Sequence, residues 1–116
     1  MKIKHYKEVK GARFDNGVAK NIVGRVMIGK DDGASHFCMR VFEIGEGGHT
    51  PSHTHEWEHE IFIHQGHGEL FNNGDWVSVA PGTAIYIPGN ELHQIKNTGK
   101  EPLVVVCLIP SGVPEL

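Results

Sequence analysis

Short apolar stretches separated by turn-forming residues follow one another along the whole chain, and none has the spacing of an amphipathic helix. The strands predicted from them cover residues 21–29, 37–44, 58–64, 69–72, 75–79, 85–87, 92–96 and 103–108. Asn73-Gly74 lies between two of these stretches and predicts a hairpin, because both central positions of a type I′ turn need a positive φ. Many short strands with frequent turns indicate an all-β barrel or sandwich. The first ten residues fit either an edge strand or an arm onto a partner subunit.

The alternation of apolar and polar residues predicts which histidines face the interior. His59 shares the more apolar face of its strand with Ile61, whereas Glu60 lies on the opposite face. By the same argument, His93 shares a face with Ile95. A buried histidine needs a polar partner, and a metal ion would supply one.

The histidines are concentrated in one part of the sequence. The chain has 9 of them, and most fall between His49 and His93. His53 and His55 are two residues apart, so in a strand both would project from the same face, with about 6.6–6.8 Å of backbone between them. The residues that follow can form a turn that returns His59 to the same point. This spacing predicts a metal site, since imidazole nitrogens bind divalent ions at about 2.0–2.1 Å.

Composition narrows the class of protein. The length of 116 residues fits a single domain over residues 1–116, and the net charge of −3, with mixed signs, gives no surface for nucleic acid or a membrane. The longest apolar run, residues 103–109, is too short to cross a bilayer, which needs ~20 residues. No secretory signal is recognisable, which predicts a cytoplasmic protein in which Cys38 and Cys107 are reduced thiols.

Two spaced motifs resemble those of the cupin superfamily. The first has the order Gly, His-x-His, Glu and Gly, and the second the order Gly, Pro, His and Asn. In this chain they fall at Gly47, His53, His55, Glu60 and Gly66, about residues 47–66, and at Gly82, Pro88, His93 and Asn97, about residues 82–97. Position 90 is Asn where the pattern has Gly, but asparagine tolerates the left-handed conformation. The resemblance implies a single-domain jelly-roll β-barrel.

His59 stands where one spacing of the first motif places a glutamate ligand. The chain therefore resembles the small four-histidine, manganese-binding cupins, and this resemblance implies one divalent ion on His53, His55, His59 and His93. Glu60 is the alternative ligand to His59, as in cupins that bind their metal through three histidines and a carboxylate. Manganese is the metal that the resemblance favours, and iron, nickel, zinc and copper also suit imidazole ligands.

The resemblance also implies a small molecule bound in the barrel and a homodimer. The leading hypothesis is a metal-dependent enzyme of the oxygenase type, such as a dioxygenase, acting on a small organic substrate. The alternatives are an isomerase or lyase, a non-catalytic sensor of small molecules or metals, and a structural metal site. No catalytic residue is assigned, with His49 and Glu60 as the candidate bases. Residues that would shape the pocket, or else simply pack, are Arg40, Phe42, Trp57, Tyr86 and Cys107.

Overall fold

The structure, a computed structural model, describes all 116 residues and is built almost entirely from antiparallel strands. The strands are β1 (Ala12–Phe14), β2 (Lys20–Ile28), β3 (Phe37–His49), β4 (His59–Gln65), β5 (Gly68–Asn72), β6 (Asp75–Val79), β7 (Ala84–Ile87), β8 (Ile95–Asn97) and β9 (Leu103–Pro110). Single turns of 3₁₀ helix cover Tyr6–Glu8 and Lys30–Asp32, and neither is long and apolar enough to cross a membrane. The all-β class predicted from the sequence is confirmed.

The strands curl into one sheet around an interior core. Its order is β6-β5-β8-β3-β9-β4-β7, and the antiparallel pair β1-β2 joins the other edge of β3. The long strand β3 organises the sheet, because it pairs with β2 along one edge and with β9 and then β8 along the other. This arrangement brings together the residues after β3, the start of β4 and the segment before β8.

Some predicted strand limits differ from the structure. β3 continues to His49 through the Gly-rich stretch that was expected to end it at residue 44. It can do so because Gly47 takes a positive φ of 72° and Lys20 still pairs with His49 beyond a register shift. The strand predicted over residues 92–96 is found later, at Ile95–Asn97.

The first ten residues contain a single 3₁₀ turn, Tyr6–Glu8, and no edge strand. Tyr6 and Val9 pack beside Val41 and Val104, on the face of the sheet opposite the main core. The edge position is taken instead by β1, which the sequence pattern did not predict because its three residues are too few to show alternation.

Two turns have the backbone conformation that their residues predict. Asn73 and Gly74 have φ values of 51° and 87°, and Asn72 pairs with Asp75, so the two-residue hairpin is confirmed. Asn90 has a φ of 66°, the left-handed conformation that the motif normally assigns to glycine at this position.

The interior face of the barrel carries the main apolar core. Ile44, Ile63 and Leu103 are completely buried within it. Burial alternates along β4, so that His59 points inward with Ile63 while Glu60 is exposed, as the alternation in the sequence predicts. The aliphatic core of the barrel therefore adjoins an interior cluster that contains histidine.

Asn97 is a buried polar residue that ties β8 to its neighbours. Its amide nitrogen donates to the carbonyls of Ile44 at 2.9 Å and Glu101 at 2.8 Å, and its oxygen accepts from the N–H of Gly99 at 2.8 Å. The side chain is 6 % exposed, so water cannot easily replace these bonds. Its loss would leave main-chain groups buried without partners.

We expect Asn97→Ala to lower the free energy of unfolding by about 2–4 kcal/mol, because several buried hydrogen bonds are lost together. Urea unfolding followed by circular dichroism measures the change. Asn72→Ala, at an exposed position of β5, is the matched control and should stay within about 0.5 kcal/mol of the wild type. Equal unfolding free energies for the two variants would contradict the role given to Asn97.

Candidate metal centre

A cavity of about 260 Å³ opens inside the barrel and is walled mainly by apolar side chains. His53, His55, His59 and His93 all line it, and they are the four residues that the sequence motifs single out. The other polar side chains in the wall belong to Arg40, Thr50 and Cys107. No aspartate or glutamate lines the cavity.

His53 and His55 lie on a loop held against the segment before β8. His53 and His93 form an isolated antiparallel bridge, with N–H to carbonyl distances of 3.2 and 3.1 Å. The carbonyl of His55 accepts from the N–H of Asn90 at 2.7 Å. The same-face projection expected for His53 and His55 in a strand arises here without a regular strand, since only this single bridge forms. Pro51 has no N–H to donate to a longer ladder.

Gly89 allows this loop to come close. A Cβ atom at position 89 would collide with the main-chain oxygen of Glu56, the residue that follows His55. The turn of the second motif, at Pro88-Gly89-Asn90, is therefore in close backbone contact with the loop of the first motif.

His59 begins β4, where it pairs with Ile87 of β7, and its side chain is 8 % exposed. Glu60, the alternative ligand considered from the sequence, lies on the other face of the strand, between Tyr86 and Leu108 of the neighbouring strands. The structure therefore places His59, and not Glu60, with the other three histidines. A carboxylate at position 60 would have to cross the sheet to reach them.

The four imidazoles offer one nitrogen each within 4.8 Å of one another, an arrangement that could hold a metal ion. Three of them have fixed tautomers, because Nδ1 of His53, His55 and His93 lies 3.0, 2.8 and 2.9 Å from the main-chain carbonyls of Pro51, Trp57 and Glu91, respectively. A carbonyl only accepts hydrogen bonds, so each Nδ1 carries the proton and each Nε2 presents a lone pair. Nε2 of His93 is buried without any hydrogen-bond partner. These features fit a metal ligand set, in which an ion takes the place of the missing partner.

His59 is the exception, since no carbonyl accepts from its Nδ1. Its Nδ1 lies 3.2 Å from Sγ of Cys107 and 3.3 Å from Nη2 of Arg40. Its Nε2 lies 2.7 Å from Nε2 of His55, a hydrogen bond that needs the proton of His59 on Nε2. For Nε2 to bind a metal instead, the proton must move to Nδ1. Because arginine only donates, the sulfur of Cys107 is then the one acceptor within reach.

The environment favours neutral imidazoles. Burial, followed by the positive charge of Arg40 and then the neighbouring histidines, lowers the pKa of His59 to about 3. Burial also lowers the pKa of His55 and of His93. Neutral imidazole is the form that binds metal ions, so these side chains are ready to do so at neutral pH.

Other residues singled out from the sequence divide between the cavity and the surface. Arg40, Phe42, Trp57 and Cys107 line the cavity, and Trp57 stacks on His55 with 4.3 Å between ring centroids. Tyr86 and Glu60 lie outside it, on the outer face of the sheet. His49, a candidate base, is also outside the cavity wall, where it contacts Thr50 and Gln94.

The structure adds residues that the sequence did not point to. Pro114 and Leu116 at the C-terminal end of the chain line the cavity, and the main-chain oxygen of Glu115 accepts from Arg40. Arg40 was a wall candidate without independent support, and its contact with both His59 and Cys107 was not foreseen. Both cysteines are buried free thiols.

The curled barrel, with its two turn motifs around an interior histidine cluster, has the architecture of a cupin. The Cupin_2 family model, described as a cupin domain, matches residues 40–109, and the chain belongs to this family. The jelly-roll fold expected from the motifs is confirmed.

Solved and curated proteins give more specific similarities. The chain is 35 % identical to the polyketide cyclase RemF from Streptomyces resistomycificus, covering 95 % of this chain and 79 % of that one with a TM-score of 0.87. It is 32 % identical to the 1-methylthio-D-xylulose 5-phosphate methylsulfurylase of Rhodospirillum rubrum over 61 % of this chain and 46 % of that protein. It is 29 % identical to the glucose-6-phosphate isomerase of Thermococcus onnurineus over 69 % and 49 %, respectively. The chain therefore matches about half the length of these curated relatives.

The tautomer argument for His59 predicts a role for Cys107 in metal affinity. Cys107→Val removes the acceptor for Nδ1–H, and we expect affinity for added zinc or nickel, measured by competition with a chromophoric chelator, to fall about tenfold or more. Cys107→Ser keeps an acceptor and should recover most of the affinity. Cys38→Val, a buried cysteine outside the cavity wall, is the control and should leave affinity unchanged. Unchanged affinity in Cys107→Val would contradict the argument.

Proposed function

We propose that the protein is a divalent-metal-dependent enzyme that acts on a small carbonyl-containing substrate in the barrel, with the ion held by His53, His55, His59 and His93. The observation that carries this proposal is the convergence of three imidazoles whose Nδ1 protons are held by main-chain carbonyls. Their Nε2 lone pairs gather at one point within an apolar cavity, where His93 Nε2 lacks a partner. A merely structural His93 would be expected to find a protein partner for its buried Nε2 as well.

The surroundings supply binding and exclusion of water rather than a protein base. A divalent ion on this site would polarise a carbonyl group or lower the pKa of a bound water molecule. Phe42, Trp57 and Ile61 give the substrate an apolar wall. Neither candidate base from the sequence, His49 or Glu60, lines the cavity. The chemistry best suited to such a site is activation of a substrate that is itself readily enolised.

Similarity to known proteins supports carbonyl chemistry over oxygen chemistry. The names of two similar proteins are those of a polyketide cyclase and a glucose-6-phosphate isomerase, and neither name describes an oxygenase. Polyketides and open-chain aldoses are both carbonyl compounds. The cyclase or isomerase type is therefore proposed ahead of the oxygenase that the sequence favoured. Four imidazoles suit manganese, iron, nickel, copper or zinc, so the choice of manganese stays a prediction.

A cytoplasmic location and a homodimer also stay predictions. An apolar groove on the outer face of β4, β7 and β9 supports the second of these. Phe62 and Tyr86 are exposed there beside Leu108, on a surface that a second copy of the chain could cover.

Metal content tests the ligand set directly. Untagged wild-type protein should carry close to one divalent ion per chain by plasma mass spectrometry, and Glu60→Ala should keep it. His59→Ala should lose most of its metal, because it removes a donor from the interior of the cluster. A wild type that neither carries nor takes up metal would overturn the enzyme proposal. Metal lost from Glu60→Ala and kept by His59→Ala would overturn the ligand set.

The type of chemistry is tested by following two signals at once. With phenylacetone in D₂O as the probe, a ketone with an acidified benzylic C–H beside its carbonyl, we expect metal-loaded protein to catalyse deuterium exchange at that carbon, seen by NMR, without oxygen uptake at an electrode. Protein stripped with a chelator should not catalyse it. Oxygen uptake that matches substrate loss would favour the oxygenase instead. Tight ligand binding without either signal would favour a sensor.

A further inference from the structure

The cavity contains a buried cation without an anionic partner. Arg40 is 7 % exposed, and its guanidinium lies over the ring of Phe42 at 4.9 Å. Nη2 donates to Sγ of Cys107 at 3.0 Å, and Nη1 donates to the main-chain oxygen of Glu115 at 3.3 Å. Nε is buried and has no hydrogen-bond partner. A guanidinium so enclosed would ordinarily be paired with a carboxylate, because burying an unpaired charge is costly.

No carboxylate of the chain fills this role. No acidic residue lines the cavity, and the four ion pairs of the protein lie elsewhere. Glu115 brings its main chain to Arg40, but its carboxylate accepts from the N–H of Lys30 at 2.9 Å. The guanidinium of Arg40 therefore remains available to an anion from outside the chain.

A bound metal ion would increase this imbalance. Four imidazoles are neutral donors and would leave a divalent ion its full charge. Together with Arg40, that places positive charge on both sides of His59, in a wall that is otherwise apolar. Ionisation of Cys107 would offset only one of these charges.

We propose that the cavity binds a small organic monoanion with a delocalised pair of oxygens, a carboxylate or an enolate, and that Arg40 anchors it. This inference deepens the proposed function and rests on it for the second oxygen contact, at the metal. The planar guanidinium matches a planar pair of oxygens. Phe42, Trp57 and Ile61 would pack against the apolar body of the ligand. A sugar phosphate fits less well, because its hydroxyl groups would face these apolar side chains.

Paired probes of matched shape test the proposal at neutral pH. Benzoate is compared with benzamide, and the enolate of 1,3-cyclohexanedione with its neutral enol ether, 3-methoxycyclohex-2-enone. Dissociation constants come from NMR titration of isotope-labelled protein, with and without bound zinc. We expect the wild type to bind at least one anion about tenfold or more tightly than its neutral counterpart. Preference for benzoate alone identifies a carboxylate, and preference for the dione alone identifies an enolate.

Variants assign the preference to Arg40. In zinc-loaded protein, Arg40→Met should weaken the preference for the anion while metal content stays unchanged. In metal-free protein the same variant should abolish the preference, and Arg40→Lys should restore part of it. Arg25→Met is the matched control, because Arg25 is a half-buried arginine of β2 that already pairs with Glu43 at 2.7 Å outside the cavity wall. That variant should keep the wild-type preference. A metal-free Arg40→Met variant that prefers the anion as strongly as the metal-free wild type would overturn the proposal.

The metal-free wild type separates this inference from the metal site and replaces Arg40→Met if that variant does not fold. Arg40 is then the cation remaining in the cavity wall, so a smaller preference for the anion should persist. If the protein binds no metal but metal-free protein still prefers the anion, the proposed function fails and the role of Arg40 stands. Equal binding of anion and neutral counterpart in metal-free protein would overturn the role of Arg40, whatever the metal content.

Discussion

Main-chain pairing between residues 50–55 and residues 90–95 is the constraint on which the histidine cluster depends. Thr50 donates to Ile95, His53 exchanges a pair of bonds with His93, and Asn90 donates to His55. Neither segment is a regular strand over its whole length, so these few bonds set the positions of three of the four imidazoles. The close approach at Gly89 belongs to the same constraint, since any larger residue would push the two backbones apart.

Much of the site could be predicted from the sequence because the face of β4 that carries Ile61 and Ile63 is more apolar than the opposite face. That pattern placed His59 inside and Glu60 outside, and the same argument placed His93 on the face of Ile95. Cys107 could not be placed in the same way, because β9 is apolar on both faces and its sequence does not show which face points inward. The inward position of Arg40 was harder still to predict, since a charged residue within a strand ordinarily indicates the solvent face.

The irregular loop that carries His53 and His55 shows a different limit of prediction from the sequence. Strand spacing predicted that both side chains project together, and they do, but main-chain bonds to the segment before β8 bring this about rather than a continuous strand. The carbonyls of Pro51 and Trp57 also orient these rings from within the loop. Contacts between distant parts of the chain and within an irregular loop leave little trace in hydrophobic periodicity. The shared motif residues Gly82 and Pro88 indicated the turns, but not which atoms they would meet.

The register of β4 explains why a carboxylate ligand at position 60 is disfavoured. Side chains alternate strictly across a strand, so bringing Glu60 inward would require a slip of one residue. The same slip would turn Ile61 and Ile63 out of the core, where both are now buried. The apolar core thus fixes the donor at position 59, independently of any metal.

A histidine at position 59 has two linked consequences that a glutamate would not have. A carboxylate would cancel part of the charge of a bound ion, and it would need no proton acceptor behind it. Imidazole leaves the charge in place and requires an acceptor for Nδ1–H, which here is Cys107, itself in contact with Arg40. The neutral imidazole of His59 and the buried Arg40 therefore have the same effect on the charge of the cavity. Each leaves positive charge in a cavity that has no acidic side chain. On this reasoning, the anionic character that we propose for the ligand follows from histidine rather than glutamate being the proposed fourth donor.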